Sequence, residues 1–239
     1  MIKLFICGIS GRLGSSIVNE IKKSSSIHLI GGLVSGMNNA SKINSSLQGI
    51  EIISDLNALL EADVVIDCST SFDLSKIKQK CEEIGASLIV ASTGKGELSE
   101  IFRNKSLSIP VLAAPNLSFG IAFLNILLAH ASEKKLSLKK INIEETHHNK
   151  KIDTPSGTAL MLKRELKDLF KFQDIEIISN RDESSVGTHK INLYLDNEIL
   201  SFEHKALDRN AFAFGAVKLI EWIHRKTPGF YSLHDTVNN

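Results

Sequence analysis

Short apolar runs alternate with segments of helical periodicity over the first half of the chain. Buried strands are predicted for the apolar runs at 2–7, 27–34, 64–67, 87–91 and 111–113. Helices are predicted where apolar residues recur three and four positions apart, at 15–23, 73–84 and 97–102. Strands that are apolar throughout and separated by helices are typical of a parallel sheet covered on both faces. We therefore predict an α/β fold for this half.

The pattern changes after Pro115. Helices are predicted at 119–132, 159–170 and 209–224, and strands at 138–145, 175–179, 189–195 and 198–204. Few helices separate these strands, and one face of the sheet is polar, so the pattern predicts an α+β C-terminal domain with a mostly antiparallel sheet. We expect one domain at 1–118 with 208–239 and a second at 119–207.

Composition removes several classes of function. The chain has 239 residues with 28 Lys+Arg against 27 Asp+Glu, and this balance is not that of a general nucleic-acid binder. Its first apolar run is too short for a signal peptide, and no stretch approaches the roughly 18 apolar residues of a membrane span. We expect a cytoplasmic protein without membrane association. Its three cysteines are far apart and lack a Cys-x-x-Cys pair, which favours reduced thiols.

A glycine-rich turn joins the first predicted strand to the first helix. Residues 8–14 read Gly-Ile-Ser-Gly-Arg-Leu-Gly, and the missing side chains let a pyrophosphate reach the start of the helix. This position predicts a Rossmann-like dinucleotide-binding domain that uses NADH or NADPH. Ser35 follows the second strand where an acid or an arginine would set the cofactor preference. The preference stays open, because a serine could hydrogen-bond either ribose.

Two further strand ends carry small and polar residues. Ala91-Ser92-Thr93-Gly94 and Ala114-Pro115-Asn116-Leu117 follow predicted parallel strands, at the edge where such sheets bind ligands. Thr93 and Asn116 are candidates for contact with a nicotinamide ring. The alternative interpretation is that both segments are ordinary strand-to-helix turns.

Residues 145–159 read Glu-Thr-His-His-Asn-Lys-Lys-Ile-Asp-Thr-Pro-Ser-Gly-Thr-Ala and combine proton-transfer groups, cations and a helix start. Thr154 or Ser156 could cap the helix, and Pro155 suits its first turn. Free N–H groups at a helix start bind anions. Together these features predict a site for a small, negatively charged substrate.

The histidine and lysine pairs in this segment have several interpretations. His147 and His148 point to opposite faces of a strand and have no third ligand at metal spacing, so we predict catalysis or substrate contact rather than a metal site. One of Lys150 and Lys151 is expected to point inward, although a lysine pair is more often solvated. His189 and His204 receive no assignment from the sequence alone.

Taken together, these motifs resemble those of the 4-hydroxy-tetrahydrodipicolinate (dihydrodipicolinate) reductase family nearly from end to end. The resemblance rests on residues 8–14, Ser-Thr-Gly at 92–94, Pro-Asn-Leu-Ser-Phe-Gly at 115–120, the whole of 145–159, and 204–217. Such a resemblance implies reduction of a cyclic imine dicarboxylate by NADH or NADPH in lysine and diaminopimelate biosynthesis, by a homotetramer built through the sheet of its second domain.

The resemblance also implies roles for individual residues. His147 would exchange the proton and Lys151 would be the second catalytic group. Substrate contacts are implied for His148, Ser156, Gly157 and Thr158. Cofactor contacts are implied for Gly8, Ile9, Ser10, Gly11, Arg12, Leu13, Ser35, Ala91, Ser92, Thr93, Ala114, Pro115, Asn116 and Leu117.

Two rival functions have to be compared with a reductase of this family. Another NAD(P)-dependent dehydrogenase, such as a semialdehyde dehydrogenase, would need a nucleophilic cysteine, and the cysteines lie in the first domain away from residues 145–159. A non-enzymatic redox sensor that binds pyridine nucleotide would not need paired histidines and lysines beside an anion-binding helix start.

Overall fold

The computed structural model describes residues 1–35, 47, 49–92, 98–102, 106–134, 136–208 and 210–236. The chain forms two compact units: unit 1 is Met1–Leu117 with Phe212–Asn239, and unit 2 is Ser118–Ala211. The chain thus returns to unit 1 at Phe212, later than the residue 208 expected from the sequence. Over the described ranges, each helix is too short or too polar to cross a membrane.

Eleven strands are formed by the described residues. In chain order they are β1 (Ile2–Cys7), β2 (Ile27–Leu33), β3 (Glu51–Ile53), β4 (Val64–Asp67), β5 (Ser87–Val90), β6 (Pro110–Ala113), β7 (Lys140–His147), β8 (Ile175–Arg181), β9 (Gly187–Tyr194), β10 (Ile199–Ala206) and β11 (Gly229–Ser232). The sequence did not predict β3 and β11, because Glu-Ile-Ile and Gly-Phe-Tyr-Ser lack the run of three apolar residues that indicated β4 and β6.

Six α-helices and two short 3₁₀ turns complete the described elements. The helices are α1 (Arg12–Ile21), α2 (Leu74–Ile84), α3 (Leu98–Phe102), α4 (Phe119–Ser132), α5 (Gly157–Phe170) and α6 (Asn210–Ile223). The 3₁₀ turns are Leu56–Ala58 and Leu233–Thr236. Asp73 caps α2 through a bond from the Ser75 N–H, and Gly85 ends the helix in a left-handed conformation.

Unit 1 contains a seven-stranded sheet in the order β11-β6-β5-β4-β1-β2-β3. Every pairing in it is parallel, so the carboxyl ends of its strands share one edge. The central strand β4 is buried at all four residues, as expected for a strand covered on both faces. A parallel, Rossmann-like sheet is therefore confirmed for the N-terminal half.

Unit 2 contains a mixed four-stranded sheet in the order β10-β9-β7-β8. Strand β9 pairs antiparallel with β7 and with β10, but β8 runs parallel to β7. The expectation of a mostly antiparallel sheet therefore holds only in part. The physical reason is α5, which connects β7 to β8 as a crossover helix and returns the chain in the same direction.

Alternation along β7 decides which side chains face the core of unit 2. Ile141 and Ile143 are fully buried against α4 and α5, and Glu145 and His147 continue the same face toward the end of the strand. Strand β9 does the same with His189 in line with Ile191. The polar ends of two apolar strands thus lie together at the edge of a hydrophobic core.

Candidate functional site

The glycine turn of unit 1 is closed to side chains at two positions. Gly8 has a φ of +82°, and a Cβ there would lie 3.1 Å from the Cα of Ser69. A Cβ at Gly14 would lie 2.5 Å from the carbonyl oxygen of Gly8 and 2.8 Å from the Cα of Ile9. Gly11 precedes α1 and makes no side-chain cap bond to the first amides of the helix. This geometry suits a pyrophosphate.

The other predicted nucleotide contacts follow β2, β5 and β6 at the same edge of the sheet. Ser35 is exposed, whereas Ala91, Ser92, Ala114, Asn116 and Leu117 are buried. The N–H of Ala91 bonds the carbonyl of Asp67 at 2.9 Å, and the N–H of Ala114 bonds that of Val90 at 2.9 Å. These bonds continue the ladder past the strand ends and fix the two turns. Gly36 and Thr93 lie outside the described residues.

Asp67 organises this edge and was not singled out by the sequence. It ends β4 fully buried, and its carboxylate accepts a bond from the N–H of Ser69 at 2.9 Å and one from the hydroxyl of Ser92 at 2.9 Å. The turn after β4 is thereby tied to the turn after β5. An aspartate ending an otherwise apolar strand was the available signal.

In unit 2, helix α5 starts near the end of the segment 145–159. Ser156 is its N-cap, with its hydroxyl oxygen accepting from the N–H of Ala159 at 3.1 Å, so the choice left open between Thr154 and Ser156 falls on Ser156. Pro155 precedes the helix in a cis peptide with Thr154, and is not in the first turn as predicted. Gly157 and Thr158 are the first helical residues.

A buried carboxylate and two imidazoles meet at the end of β7. Glu145 is fully buried, and its Oε2 lies 3.6 Å from His147 Nδ1 and 3.8 Å from His189 Nε2. The two imidazole rings make an edge contact with centroids 5.1 Å apart. His189 Nε2 also lies 3.2 Å from the hydroxyl of Ser156. The cluster therefore links β7, β9 and the start of α5.

Burial and the surrounding charges together set the pKa of His147. Burial lowers its pKa below the ordinary value, Glu145 opposes that change, and the cations Lys151 and Arg181 reinforce it. Burial lowers the pKa of His189 further, to about 4, with the charge of His147 as the second cause. At neutral pH His189 is thus a neutral imidazole.

Lys151 and Arg181 surround the loop before α5 with positive charge. The ammonium of Lys151 bonds both carboxylate oxygens of Asp153, at 2.9 and 2.8 Å. The guanidinium of Arg181 bonds the carbonyl of Asp153 at 3.1 Å and the hydroxyl of Thr154. Arg181 ends β8 and was missed by the sequence, because only the parallel pairing of β7 and β8 brings it to this loop.

The remaining predicted residues divide by exposure. His148 is half-buried, and Lys150 is exposed while Lys151 is half-buried, with a side chain 21% exposed. His204 on β10 is half-buried, and its Nε2 lies 3.0 Å from the hydroxyl of Ser118, the N-cap of α4. Its ring stacks at 6.4 Å on His189, extending the histidine cluster.

The cluster also bears on metal binding. One ligand atom from each of Glu145, His147 and His189 lies within 4.8 Å of the others. The sequence showed no third metal ligand near the two adjacent histidines, and His189 reaches the cluster from the neighbouring strand β9. Glu145 Oε1 accepts hydrogen bonds, and His189 contacts the hydroxyl of Ser156. A polar network of this kind explains why these side chains lie together without a metal ion. Metal-independent chemistry therefore stays our prediction.

Two residues of the network carried a readable signal. Glu145 is in phase with Ile141 and Ile143, and His189 is in phase with Ile191 and Leu193. Alternate residues of a strand share one face, so a polar residue that alternates with apolar ones lies on the buried face and needs a hydrogen-bond partner there. This alternation alone indicates that both residues are buried.

A parallel sheet with a glycine turn at its carboxyl edge, followed by a separate α+β unit, defines a two-domain α/β protein of the dinucleotide-binding class. Family models described as dihydrodipicolinate reductase, N-terminus and C-terminus, match residues 2–117 and 120–237. The chain belongs to the dihydrodipicolinate reductase family.

Relatives of known name support this membership over the full length. The chain is 32% identical to the 4-hydroxy-tetrahydrodipicolinate reductase of Bdellovibrio bacteriovorus, covering 99% of this chain and 96% of that protein. It is 31% identical to the enzyme of the same name from Aliarcobacter butzleri, covering 99% of each. A dipicolinate-bound dihydrodipicolinate reductase from Paenisporosarcina sp. TG-14 shares the fold, with a TM-score of 0.78 at 18% identity and coverage of 98% and 99%.

Proposed function

We propose that the chain is an NADH- or NADPH-dependent 4-hydroxy-tetrahydrodipicolinate reductase, forming tetrahydrodipicolinate in lysine and diaminopimelate biosynthesis. The observation that carries this proposal is the meeting, within unit 2, of an imidazole, an ammonium group and a helix start. His147 and Lys151 lie four residues apart on either side of a tight loop, closed by a bond from the Lys151 N–H to the His148 carbonyl at 3.0 Å. The named relatives support the same assignment.

Unit 1 would hold the nucleotide. Gly8 and Gly14 leave no room for side chains at the turn, and the backbone amides at the start of α1, which Gly11 does not cap, would bind the pyrophosphate, with Arg12 adding charge. Bound nicotinamide supplies the hydride. The residues proposed to contact it are Gly8, Ile9, Ser10, Gly11, Arg12, Leu13, Ser35, Ala91, Ser92, Thr93, Ala114, Pro115, Asn116 and Leu117.

Unit 2 would hold the dicarboxylate. We place one carboxylate at the start of α5, where Gly157 and Thr158 present backbone amides and Ser156 fixes the direction of the helix. His148 would contact the same substrate from the preceding loop. Lys151 would leave Asp153 to face the ring, where its charge stabilises the negative charge that develops during reduction.

His147 would supply the proton. As hydride adds to one carbon of the conjugated system, the neighbouring carbon takes one proton from the imidazolium, which becomes a neutral imidazole and is reprotonated from solvent. Burial keeps the proton donor out of bulk water and lowers the pKa of His147 below its ordinary value, so more of the imidazole carries the proton as the pH falls.

The chemistry of the cysteines argues against an aldehyde-oxidising dehydrogenase. Cys7 and Cys81 are buried, and burial raises the pKa of Cys81 to about 12 and that of Cys68 further still. The thiols of Cys68 and Cys81 therefore stay protonated at neutral pH and are poor nucleophiles. A non-enzymatic redox sensor is the other alternative, and nucleotide binding without turnover would favour it.

We also propose a cytoplasmic homotetramer that uses the outer face of the unit 2 sheet. On that face Asn192 bonds Asn142 at 2.9 Å and Ser201 bonds Asn192 at 2.7 Å, while Ile178 and Ile199 are exposed. A polar network framed by exposed apolar side chains suits a subunit contact. Light scattering on the purified protein measures the mass, and a monomer at micromolar concentration would contradict this part.

One coupled assay tests the main proposal. The product of a dihydrodipicolinate synthase is supplied as substrate, and the oxidation of NADH and of NADPH is followed in parallel at 340 nm. We expect turnover with at least one cofactor, and the ratio of the two kcat/KM values gives the preference that Ser35 leaves open. Binding of both nucleotides without oxidation of either would reject the reductase in favour of the sensor.

A further inference from the structure

The two carboxylate oxygens of Glu145 have different surroundings. Oε1 accepts a bond from the N–H of Ser156 at 2.9 Å and one from the hydroxyl of Ser179 at 2.6 Å. Oε2 has no hydrogen-bond donor within 3.5 Å among the described residues, and faces His147 Nδ1 at 3.6 Å and His189 Nε2 at 3.8 Å. The carboxylate is therefore oriented from one side and presents its other oxygen to the imidazoles.

This orientation follows from strand register. Glu145 pairs directly with Ser179 on the parallel strand β8 and with His189 on the antiparallel strand β9. Side chains at paired positions share one face of a sheet and lie within contact distance. A donor on one side and an imidazole on the other are thus placed by the backbone, and the third contact, Ser156, comes from the start of α5.

The carboxylate is charged despite its burial. Desolvation raises the pKa of Glu145, but the bonds from Ser156 and Ser179 and the charge of His147 outweigh it, so the pKa lies below its ordinary value. A buried negative charge is costly unless a donor or cation compensates it. Oε2 still lacks such a donor, and the two imidazoles are the groups that face it.

His147 is the better partner of the two. His189, with a pKa of about 4, is neutral and already contacts Ser156. The titratable and charged groups that act on His147 are Glu145 on its own strand, Lys151 and Asp153 in the following loop, Arg181 on β8 and His189 on β9. Glu145 and Asp153 favour the protonated imidazole, and of these two only Glu145 is buried.

We infer that Glu145 is a positioning residue for His147. Its Oε2 holds the proton of the imidazole on Nδ1, so that Nε2 is the nitrogen that delivers a proton to the substrate. Glu145 itself stays ionised throughout: one proton leaves Nε2, and the neutral imidazole that remains carries its hydrogen on Nδ1. A Cβ at Gly187 would lie 3.2 Å from Nε2, so the glycine avoids a tight contact beside the delivering nitrogen. The inference rests on the proposed reductase activity.

The substitution Glu145→Gln tests this directly, since glutamine keeps the shape and the acceptor at Oε1 but removes the charge. Nitrogen-15 NMR of labelled histidine should show the pKa of His147 lowered by about one unit, and a larger fraction of the tautomer protonated on Nε2. The kcat of the wild type falls as pH rises through the pKa of its proton donor, so in the variant this fall should occur about one unit lower. Lowering the pH should restore turnover, which a folding defect would not allow.

Glu144→Gln is the matched control. Glu144 neighbours Glu145 on β7 but faces the other side of the sheet, where its Oε1 accepts a bond from Asn192 at 2.7 Å. Glutamine can keep that bond, so the pKa of His147 and the pH profile should match those of the wild type.

Two outcomes would overturn the inference. One is an unchanged pKa and tautomer of His147 in Glu145→Gln. If that variant does not fold, Glu145→Asp withdraws the carboxylate by one methylene and should lower the pKa by a smaller amount, and an unchanged value there is equally decisive. The NMR readout does not need turnover: a wild type that shows the coupling but does not reduce the substrate would refute the reductase and leave the positioning role standing.

Discussion

The ammonium of Lys151 is held by both carboxylate oxygens of Asp153, at 2.9 and 2.8 Å. Burial raises the pKa of Asp153, but the bonds from Lys151 and from the backbone amides of Asp153 and Gly157 outweigh it and lower the pKa overall. An internal carboxylate thus lies beside the same cation and the same helix start to which we assign a substrate carboxylate. On the proposed function, substrate binding would displace Asp153 from Lys151.

We expect Asp153→Asn to lower the KM for the dicarboxylate by about two- to fivefold, because a partly exposed ion pair contributes up to about 1 kcal/mol. Steady-state kinetics at fixed nucleotide concentration measures the change. Asp196→Asn is the matched control, since Asp196 forms an exposed pair with Lys139 at 3.0 Å elsewhere in unit 2. A KM that rises in Asp153→Asn would show that the aspartate positions Lys151 and does not compete for it.

Lys150→Ala and Lys151→Ala separate the two neighbouring lysines. We expect Lys151→Ala to lower kcat and raise KM by tenfold or more each, because its charge would act on both the bound substrate and the transition state. Lys150 is exposed and should tolerate alanine with kinetics close to those of the wild type. The reverse result would transfer the role to Lys150.

His147→Gln should lower kcat by about a hundredfold or more, because positioned proton donors contribute factors of this size. Nucleotide affinity, measured by fluorescence titration with NADH and NADPH, should not change, since the glycine turn belongs to the other unit. His130→Gln on the exposed side of α4 is a suitable control. Near-normal turnover of His147→Gln would remove His147 from the mechanism.

Gly14→Ala should disrupt the nucleotide turn. The new Cβ would lie 2.5 Å from the Gly8 carbonyl oxygen, so the backbone must shift, at a cost of about 1–3 kcal/mol in the free energy of unfolding. We expect weaker nucleotide binding by calorimetry together with a lower urea midpoint. In Gly229→Ala the nearest atom to the new Cβ is 3.8 Å away, and both quantities should stay unchanged. Wild-type affinity in Gly14→Ala would argue against nucleotide binding at this turn.

His189 makes the free energy of unfolding depend on pH. Its pKa is about 4 in the folded protein and about 6.5 when unfolded, so below pH 6.5 the unfolded chain binds the proton first. Stability should therefore fall as the pH decreases from about 6.5 to about 4, by up to about 3 kcal/mol for this group.

Urea denaturation followed by circular dichroism across this range measures the effect. His189→Gln should flatten the dependence, because glutamine binds no proton, whereas His28→Gln on the exposed side of β2 should leave it as in the wild type. Identical pH profiles for the wild type and His189→Gln would show that another group controls acid stability.

The sequence predicted the elements that a long periodic pattern can specify, and it failed where short elements or strand pairing decide. Strand β4 was predicted with its observed bounds, because the apolar run Val-Val-Ile lies between two aspartates and before a helical segment. The parallel pairing of β8 was missed, since direction depends on the path through α5. The sequence likewise identified His147 and Lys151 as candidates from one contiguous motif.

The partners of Glu145 could not be found in the same way. Ser179 and His189 reach Glu145 through pairings across β8 and β9, from positions 34 and 44 residues further along the chain. Asp67 likewise acts on Ser92 across a pair of parallel strands. Register and strand direction set these contacts, and neither can be read from local periodicity.

The main-chain N–H of Ser156 donates a bond that ties Glu145 to the start of α5. Every amino acid except proline would supply the same N–H at that position. What this attachment constrains is the number of residues between 145 and 156, because inserting or deleting one would bring a different amide to the carboxylate. A redesign of this segment therefore has to preserve the length of the loop as well as its functional side chains.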